Sequence, residues 1–191
     1  MSARRPFSDK EVLMIADKLK ENKRNYALFL LGIYTGFRIK ELLSVRVKDV
    51  VLPNGKIANQ LVIRAQDMKG RQGHKKSRAV VLSESVKDAL REWVNELGDG
   101  EFLFQSREGG AISTRQARRI IQDACAELGI FERIGTHSMR KTYGNKIHKL
   151  LGNDIFATMQ ALGHTNVRNT QYYLEIGRER INQATQSISF G

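Results

Sequence analysis

Residues 26–34 read YALFLLGIY. On a helix this stretch is apolar on most of its sides, and such a helix has to be enclosed by other elements. It is far too short to cross a bilayer, which takes about 20 apolar residues, so the enclosing material must be protein. The pattern therefore predicts a central helix over NKRNYALFLLGIYTG, stopped by Gly36. Whatever else the chain does, it has to fold around this rod.

The flanking sequence supplies candidates for the enclosure. FSDKEVLMIADKLKE opens with a capping box, Ser8 followed by Glu11, and places Val12, Leu13, Ile15, Ala16 and Leu19 at helical spacing. RIKELLSVRVKDV restarts as a short helix and then turns β-like. Over residues 49–82 the runs DVVL, QLVIRA and RAVVL alternate with PNG and with QDMKGRQGHKKS. That pattern predicts three antiparallel strands with one long basic hairpin. Helices resume in SESVKDALREWVNELG (Ser83 to Gly98), STRQARRIIQDACAELG (Ser113 to Gly129), THSMRKTYGNKIHKLLG and NDIFATMQALGH. A last helical segment, NVRNTQYYLEIGRERINQATQ, contains Gly177. The only prolines are Pro6 and Pro53, and no repeat or linker breaks the chain. The expectation is one domain over 1–191, mainly α with a small three-stranded antiparallel β-sheet.

Composition narrows the partner. The 191 residues carry 32 Lys+Arg against 20 Asp+Glu, a formal net charge of +12. Such an excess favours a polyanion, above all nucleic acid. Charge alone separates neither DNA from RNA nor an enzyme from a passive binder. The single cysteine, Cys125, excludes an intrachain disulfide, suits a reducing compartment and reads as a small buried helix residue. MSARRPFSDKE has no apolar signal core. The expected setting is the cytoplasm, in association with the nucleoid and not with a membrane.

Four segments combine charged or nucleophilic groups with a glycine or a helix boundary. TGFRIKEL puts Arg38 just past Gly36, with Glu41 on the same face. Taken alone, that pair is as well explained as a surface ion pair. THSMR puts His137 and Arg140 on one face; taken alone, with Lys141 beside them, this is a solvated basic helix turn. LGHTNVRNTQYY puts Tyr173 nine residues after His164, about 13 Å along a straight helix, so a shared site requires a bend between them. Tyr172 and Tyr173 point about 100° apart, so at most one faces a given site. The hairpin supplies Lys69, Arg71, His74, Lys75, Lys76 and Arg78, a basic loop suited to DNA phosphates.

In this order, the segments resemble the tyrosine recombinases, the phage integrase family. The family pattern is an arginine in TGxRxxEL, a lysine in a β-hairpin, HxxR, LGH and a tyrosine shortly after. Here these read TGFRIKEL, MKG, HSMR, LGH and QYY, and the resemblance runs from about residue 8 to 175. Each motif is weak alone; five in order and at the right spacing are specific. The resemblance implies that Arg38 and Arg140 clamp the scissile phosphate and that His137 accepts or orients a proton. It makes His164 a hydrogen-bond donor, Glu41 a support and Tyr173 the nucleophile, with Tyr172 as the alternative. Lys69 would be the proton donor, with Lys75 and Lys76 as alternatives if the strands run further. Arg71, Lys75, Lys76, Arg78 and Lys141 are the expected DNA-contacting cations. Tyr143, inside the HxxR segment itself, has no counterpart in the pattern and is expected to be structural.

The implied reaction is a transesterification that stores the bond in a 3′-phosphotyrosine. It calls for no metal or cofactor, in agreement with the lack of HExxH or Walker sequences. The implied partner is double-stranded DNA, held by a homotetramer; the tail, residues 175–191, either packs on its own domain or docks on a neighbouring protomer, as such tails often do in the family. The family pattern begins at about residue 8, which leaves no room for the separate DNA-binding domain that usually precedes it. The expectation is a catalytic fragment or a short recombinase like the invertases of fimbrial genes. The rivals are a catalytically silent DNA-binding regulator and a type IB topoisomerase. A pure binder has no use for the phenol, and the compact LGH-to-tyrosine spacing favours the recombinase.

Overall fold

The computed structural model describes residues 4–67, 77–174 and 186–187; of Asp67, Tyr172 and Tyr173 it describes the backbone alone. The chain forms two compact units, residues 1–143 and 144–191.

In the first unit, α1 (Asp9–Leu19) begins with the capping box expected of Ser8 and Glu11. Glu11 also binds Arg5 at 2.6 Å. The hydrogen bond from Arg5 is the main cause that holds the Glu11 carboxyl down at about 2. The central helix, α2 (Lys23–Thr35), is capped by Asn22 and ends at Gly36 in the left-handed conformation, φ 60°. Every residue from Ala27 to Ile33 is buried, as an all-round apolar helix requires. It packs against α1, α3 (Ile39–Leu43) and α5 (Glu84–Leu97). The first unit also holds α6 (Thr114–Glu127), which packs against α1 and α3. α7 (Thr136–Leu150) approaches α2 closely: a Cβ added at Gly32 would meet Met139 Sδ at 2.8 Å. Cys125 is fully buried within α6, and burial pushes its thiol up to about 11, so it is an inert core residue.

The sheet has two strands among the described residues, not three. β1 (Gln60–Ile63) pairs antiparallel with β2 (Arg78–Val81), with Ile63 opposite Arg78 and Leu61 opposite Val80. Leu61 and Ile63 face the core, while Gln60 and Val62 face out. The expected first strand is instead a helical turn, α4 (Val47–Val50). Asp49 accepts a hydrogen bond from Arg46 N–H at 2.9 Å and so caps that turn. The Pro53–Gly55 turn follows at once, with Gly55 at φ 77°, leaving Val51 one isolated bridge to Ile57. The β preference of valine yields here to capping and turn chemistry.

The second unit contains the last turns of α7, then α8 (Ile155–Leu162) and α9 (Val167–Leu174), which pack against each other. Asp154 caps α8 by accepting from Phe156 N–H at 2.7 Å and Ala157 N–H at 3.0 Å. Gly163, φ 63°, ends α8 with paired hydrogen bonds, Gly163 N–H to Gln160 and His164 N–H to Met159. The bend that the spacing of His164 and Tyr173 required is this break between α8 and α9. Among the described residues no helix is long and apolar enough to cross a membrane.

Candidate active site

The first unit brings two distant motifs to one turn. Gly36, Phe37 and Arg38 link α2 to α3, and Arg38 is the N-cap of α3 in extended backbone. Glu41, 1% exposed, holds Arg38 twice. Its Oε2 accepts from the backbone N–H at 2.7 Å and its Oε1 from Nη1 at 2.9 Å. The expected Arg38–Glu41 face is thus a half-buried clamp, and the reading as a solvated surface pair falls. Arg140 enters from α7, 104 residues away, fully buried, and its Nη1 donates to the carbonyl of Gly36. Two guanidiniums are therefore anchored within three residues of chain, and a guanidinium is a planar fork of donors that suits phosphate oxygens.

Tyr143 and Arg78 brace the same turn. A Cβ at Gly36 would meet the Tyr143 ring at 2.2 Å, so the ring packs directly against this glycine, which fits the structural part expected of it. Arg78 corrects an expectation. Counted among the DNA-contacting cations, it is instead 8% exposed, at the inner start of β2. Its Nη2 donates to the Thr35 carbonyl, and its guanidinium lies 4.5 Å over the Phe37 ring and 5.9 Å from that of Tyr143. Burial, the largest cause, pushes its pKa below the ordinary arginine value. The reason for the correction is register: Arg78 pairs with inward-facing Ile63, so its side chain points to the core. Lys141, also expected on DNA, is 1% exposed and belongs to the interior.

His137 keeps an exposed edge on α7. Partial desolvation, then the positive fields of Arg140, Lys141, Arg38 and Arg4, lower its pKa to about 4. Both causes act in the same direction. The imidazole is neutral near pH 7. Arg4 was not anticipated. The chain before α1 is fastened by Arg5 N–H to the Arg133 carbonyl and by Phe7 N–H to Thr142 Oγ1 at 2.8 Å. That strap holds Arg4 close to Gly135 and hence near His137. No helix period or motif marks an arginine placed by such contacts.

In the second unit, His164 follows the Gly163 cap and is 7% exposed; its Nδ1 lies 2.9 Å from Thr170 Oγ1 on α9. Thr170 was also not singled out in the sequence, although it sits inside LGHTNVRNTQYY. Tyr173 is on the same helix, three residues beyond Thr170. The expected nucleophile's side chain, and that of Tyr172, lie outside the described residues, as do Lys69, Arg71, His74, Lys75 and Lys76.

The phage integrase family model matches residues 6–180. A probable integrase/recombinase, YoeC of Bacillus subtilis, is 35% identical over 162 residues, covering 84% of this chain and 82% of its own. Type 1 fimbriae regulatory protein FimE of Escherichia coli K12 is 29% identical over 182 residues, covering 91% of this chain and 86% of its own. Against a tyrosine recombinase XerC of Thermodesulfovibrio yellowstonii, 30% identical, the chain spans about half of that protein, 50%. The crystal structure of XerA recombinase superposes on 98% of this chain and 66% of its own, with a TM-score of 0.78 at 24% identity. That likeness establishes the tyrosine recombinase catalytic-domain fold.

Proposed function

The chain belongs to the phage integrase family, and from that premise we propose that it is a site-specific tyrosine recombinase that cuts and rejoins DNA through a 3′-phosphotyrosine. The observation that carries this reading is the meeting of Arg38 and Arg140 at the Gly36–Arg38 turn. Arg140 reaches a carbonyl 104 residues away, beside Arg38, so two distant motifs supply two positioned guanidiniums, an arrangement fitted to an anionic phosphodiester.

The reaction runs as follows. Tyr173 Oη attacks the scissile phosphorus, the bond from phosphorus to the 5′ oxygen breaks, and the phosphate stays on the tyrosine. A phenol with a pKa near 10 is mostly protonated at pH 7, so its proton has to leave as the attack proceeds. His137, neutral near pH 7, is the proposed acceptor. An arriving phosphate offsets the cations around that ring and raises its basicity. Arg38 and Arg140 hold the non-bridging oxygens, with Glu41 keeping Arg38 in place. His164 donates a hydrogen bond to the phosphate. Lys69, or in its place Lys75 or Lys76, protonates the departing 5′ oxygen. Attack by another 5′-hydroxyl reverses the step and completes strand exchange.

The partner is double-stranded DNA, contacted through Arg71, Lys75 and Lys76 of the hairpin, and the working assembly is a tetramer on DNA. Tail residues 175–191 are proposed to dock on a neighbouring protomer.

The test is a suicide duplex, nicked so that the cleaved strand cannot be resealed, whose sequence comes from the DNA flanking the gene. Wild type accumulates a covalent adduct; Tyr173→Phe binds the duplex and forms none. An adduct that persists in Tyr173→Phe and disappears in Tyr172→Phe moves the nucleophile by one residue. Peptide mapping of the DNA-linked residue decides between them.

A further inference from the structure

The second unit contains two histidine–threonine pairs that differ by one proton. In the first, His148 Nδ1 lies 2.8 Å from Thr158 Oγ1. The Thr158 hydroxyl spends its hydrogen on the Asp154 carbonyl at 2.6 Å. A hydroxyl has one hydrogen to give, so His148 Nδ1 must carry the proton and donate. In the second pair, His164 Nδ1 lies 2.9 Å from Thr170 Oγ1. Among the described residues no carbonyl competes for the Thr170 hydrogen as Asp154 does for that of Thr158. The Thr170 hydroxyl is therefore placed to donate to the histidine.

We propose that Thr170 is a positioning residue: it donates to His164 Nδ1 and holds the neutral ring in the tautomer that carries its proton on Nε2. The inference rests on the reading of His164 as a hydrogen-bond donor to the scissile phosphate, and it supplies the step that reading lacks. A neutral imidazole has one N–H. With Nδ1 taken by Thr170, His164 serves a phosphate through Nε2. With the proton on Nδ1 instead, Nε2 would turn a lone pair toward an anionic oxygen, and attraction would become repulsion. The threonine thus decides the sign of the contact.

The fold makes this control rigid. Thr170 is fully buried and His164 nearly so. The His164 backbone is fastened by its N–H to the Met159 carbonyl at 3.0 Å, behind the left-handed Gly163. Thr170 and Tyr173 lie on one short helix, α9. The element that carries the proposed nucleophile therefore also sets the protonation pattern of the proposed donor.

The test combines a spectrum with a rate. In the full chain labelled with 15N-histidine, four histidines give signals, and His164→Gln identifies the one that matters. The expected result is a protonated Nε2 and an unprotonated, hydrogen-bonded Nδ1, converted to a tautomer mixture in Thr170→Val and retained in Thr170→Ser. Single-turnover cleavage of the suicide duplex is expected to fall on the order of 10–100-fold in Thr170→Val, as when a partner that orients a ligating histidine is removed. Thr170→Ser restores it. A wild-type ring protonated at Nδ1 overturns the proposal. So does a Thr170→Val enzyme as fast as wild type while His164→Gln is slow. If His164→Gln cleaves at the wild-type rate, the phosphate-donor reading fails, and the nitrogen spectrum still decides the tautomer. Should Thr170→Val fail to fold, the wild-type spectrum and the Thr170→Ser rate remain decisive.

Discussion

Two turns in this molecule start alike and are held differently. Both begin at a left-handed glycine that ends a helix, Gly36 at φ 60° and Gly163 at φ 63°. Each is followed within two residues by a proposed phosphate ligand, Arg38 or His164. The Gly36 turn is held in large part from afar, by Arg78 from β2 and by Arg140 and Tyr143 from α7, with Gly32, Thr35 and Glu41 close in sequence. At the Gly163 turn the described hydrogen bonds run to Met159, Gln160 and Thr170, all within seven residues. A turn held by distant residues is only as ordered as the whole core; a turn held by neighbours carries its order with it.

The largest test of that contrast is Arg140→Ala. It removes the donor to Gly36 and empties the volume of a fully buried side chain. The expected loss is about 3 kcal/mol of unfolding free energy, from the unsatisfied carbonyl and the cavity together. Covalent adduct on the suicide duplex should fall by at least about 10²-fold, as when one donor to a developing anion is deleted. A variant as stable as wild type would show that the turn does not depend on α7. Next come the glycines. Gly36→Ala incurs left-handed strain and collides with the Tyr143 ring, at 2.2 Å from the new Cβ. About 3 kcal/mol is expected from strain plus overpacking. Gly163→Ala incurs the strain, about 1–2 kcal/mol. Denaturant midpoints compare the two; equal losses would erase the distinction between the turns.

The smallest effect is a pH dependence that comes from His137 on α7. Burial and surrounding cations hold His137 at about 4 against an ordinary 6.5. Between those values the unfolded chain takes up a proton that the folded chain refuses. Stability from this residue is therefore whole above pH 6.5 and is lost as pH falls toward 4. His137→Asn should flatten the drop in urea midpoint between pH 7.5 and 5, and an unchanged drop would contradict the assignment. Glu11, held at about 2 by Arg5, acts in a lower window, from its ordinary 4.5 downward, so the two overlap only at the acid end of the His137 window, below the pH range of that comparison.

The helices were legible because their signals are local. Ser8 with Glu11, the apolar run of α2 and the Gly36 stop all lie within a few residues of what they specify. The third expected strand was not, because a valine-rich run reads as β until Asp49 capping and the Pro53–Gly55 turn compete for it. Among the site residues, Arg38, Glu41, His137, Arg140 and His164 could be singled out from order and spacing. Arg78 and Lys141 were misplaced because a basic residue looks exposed until strand register or helix packing turns it inward. Thr170 was passed over because a threonine carries no chemistry until a histidine ring is found 2.9 Å away.

By itself, then, the sequence determined a helical domain built around one apolar helix, an excess of positive charge, and an ordered series of short motifs that identifies the family. These are periodicities and spacings, properties of a one-dimensional string. Tertiary structure decided that Arg140 anchors to Gly36, that Tyr143 and Arg78 brace the turn from beneath, and which nitrogen of His164 meets Thr170. Such contacts depend on burial and on hydrogen-bond geometry between residues as much as 104 positions apart, and those arise only when the chain has closed on itself.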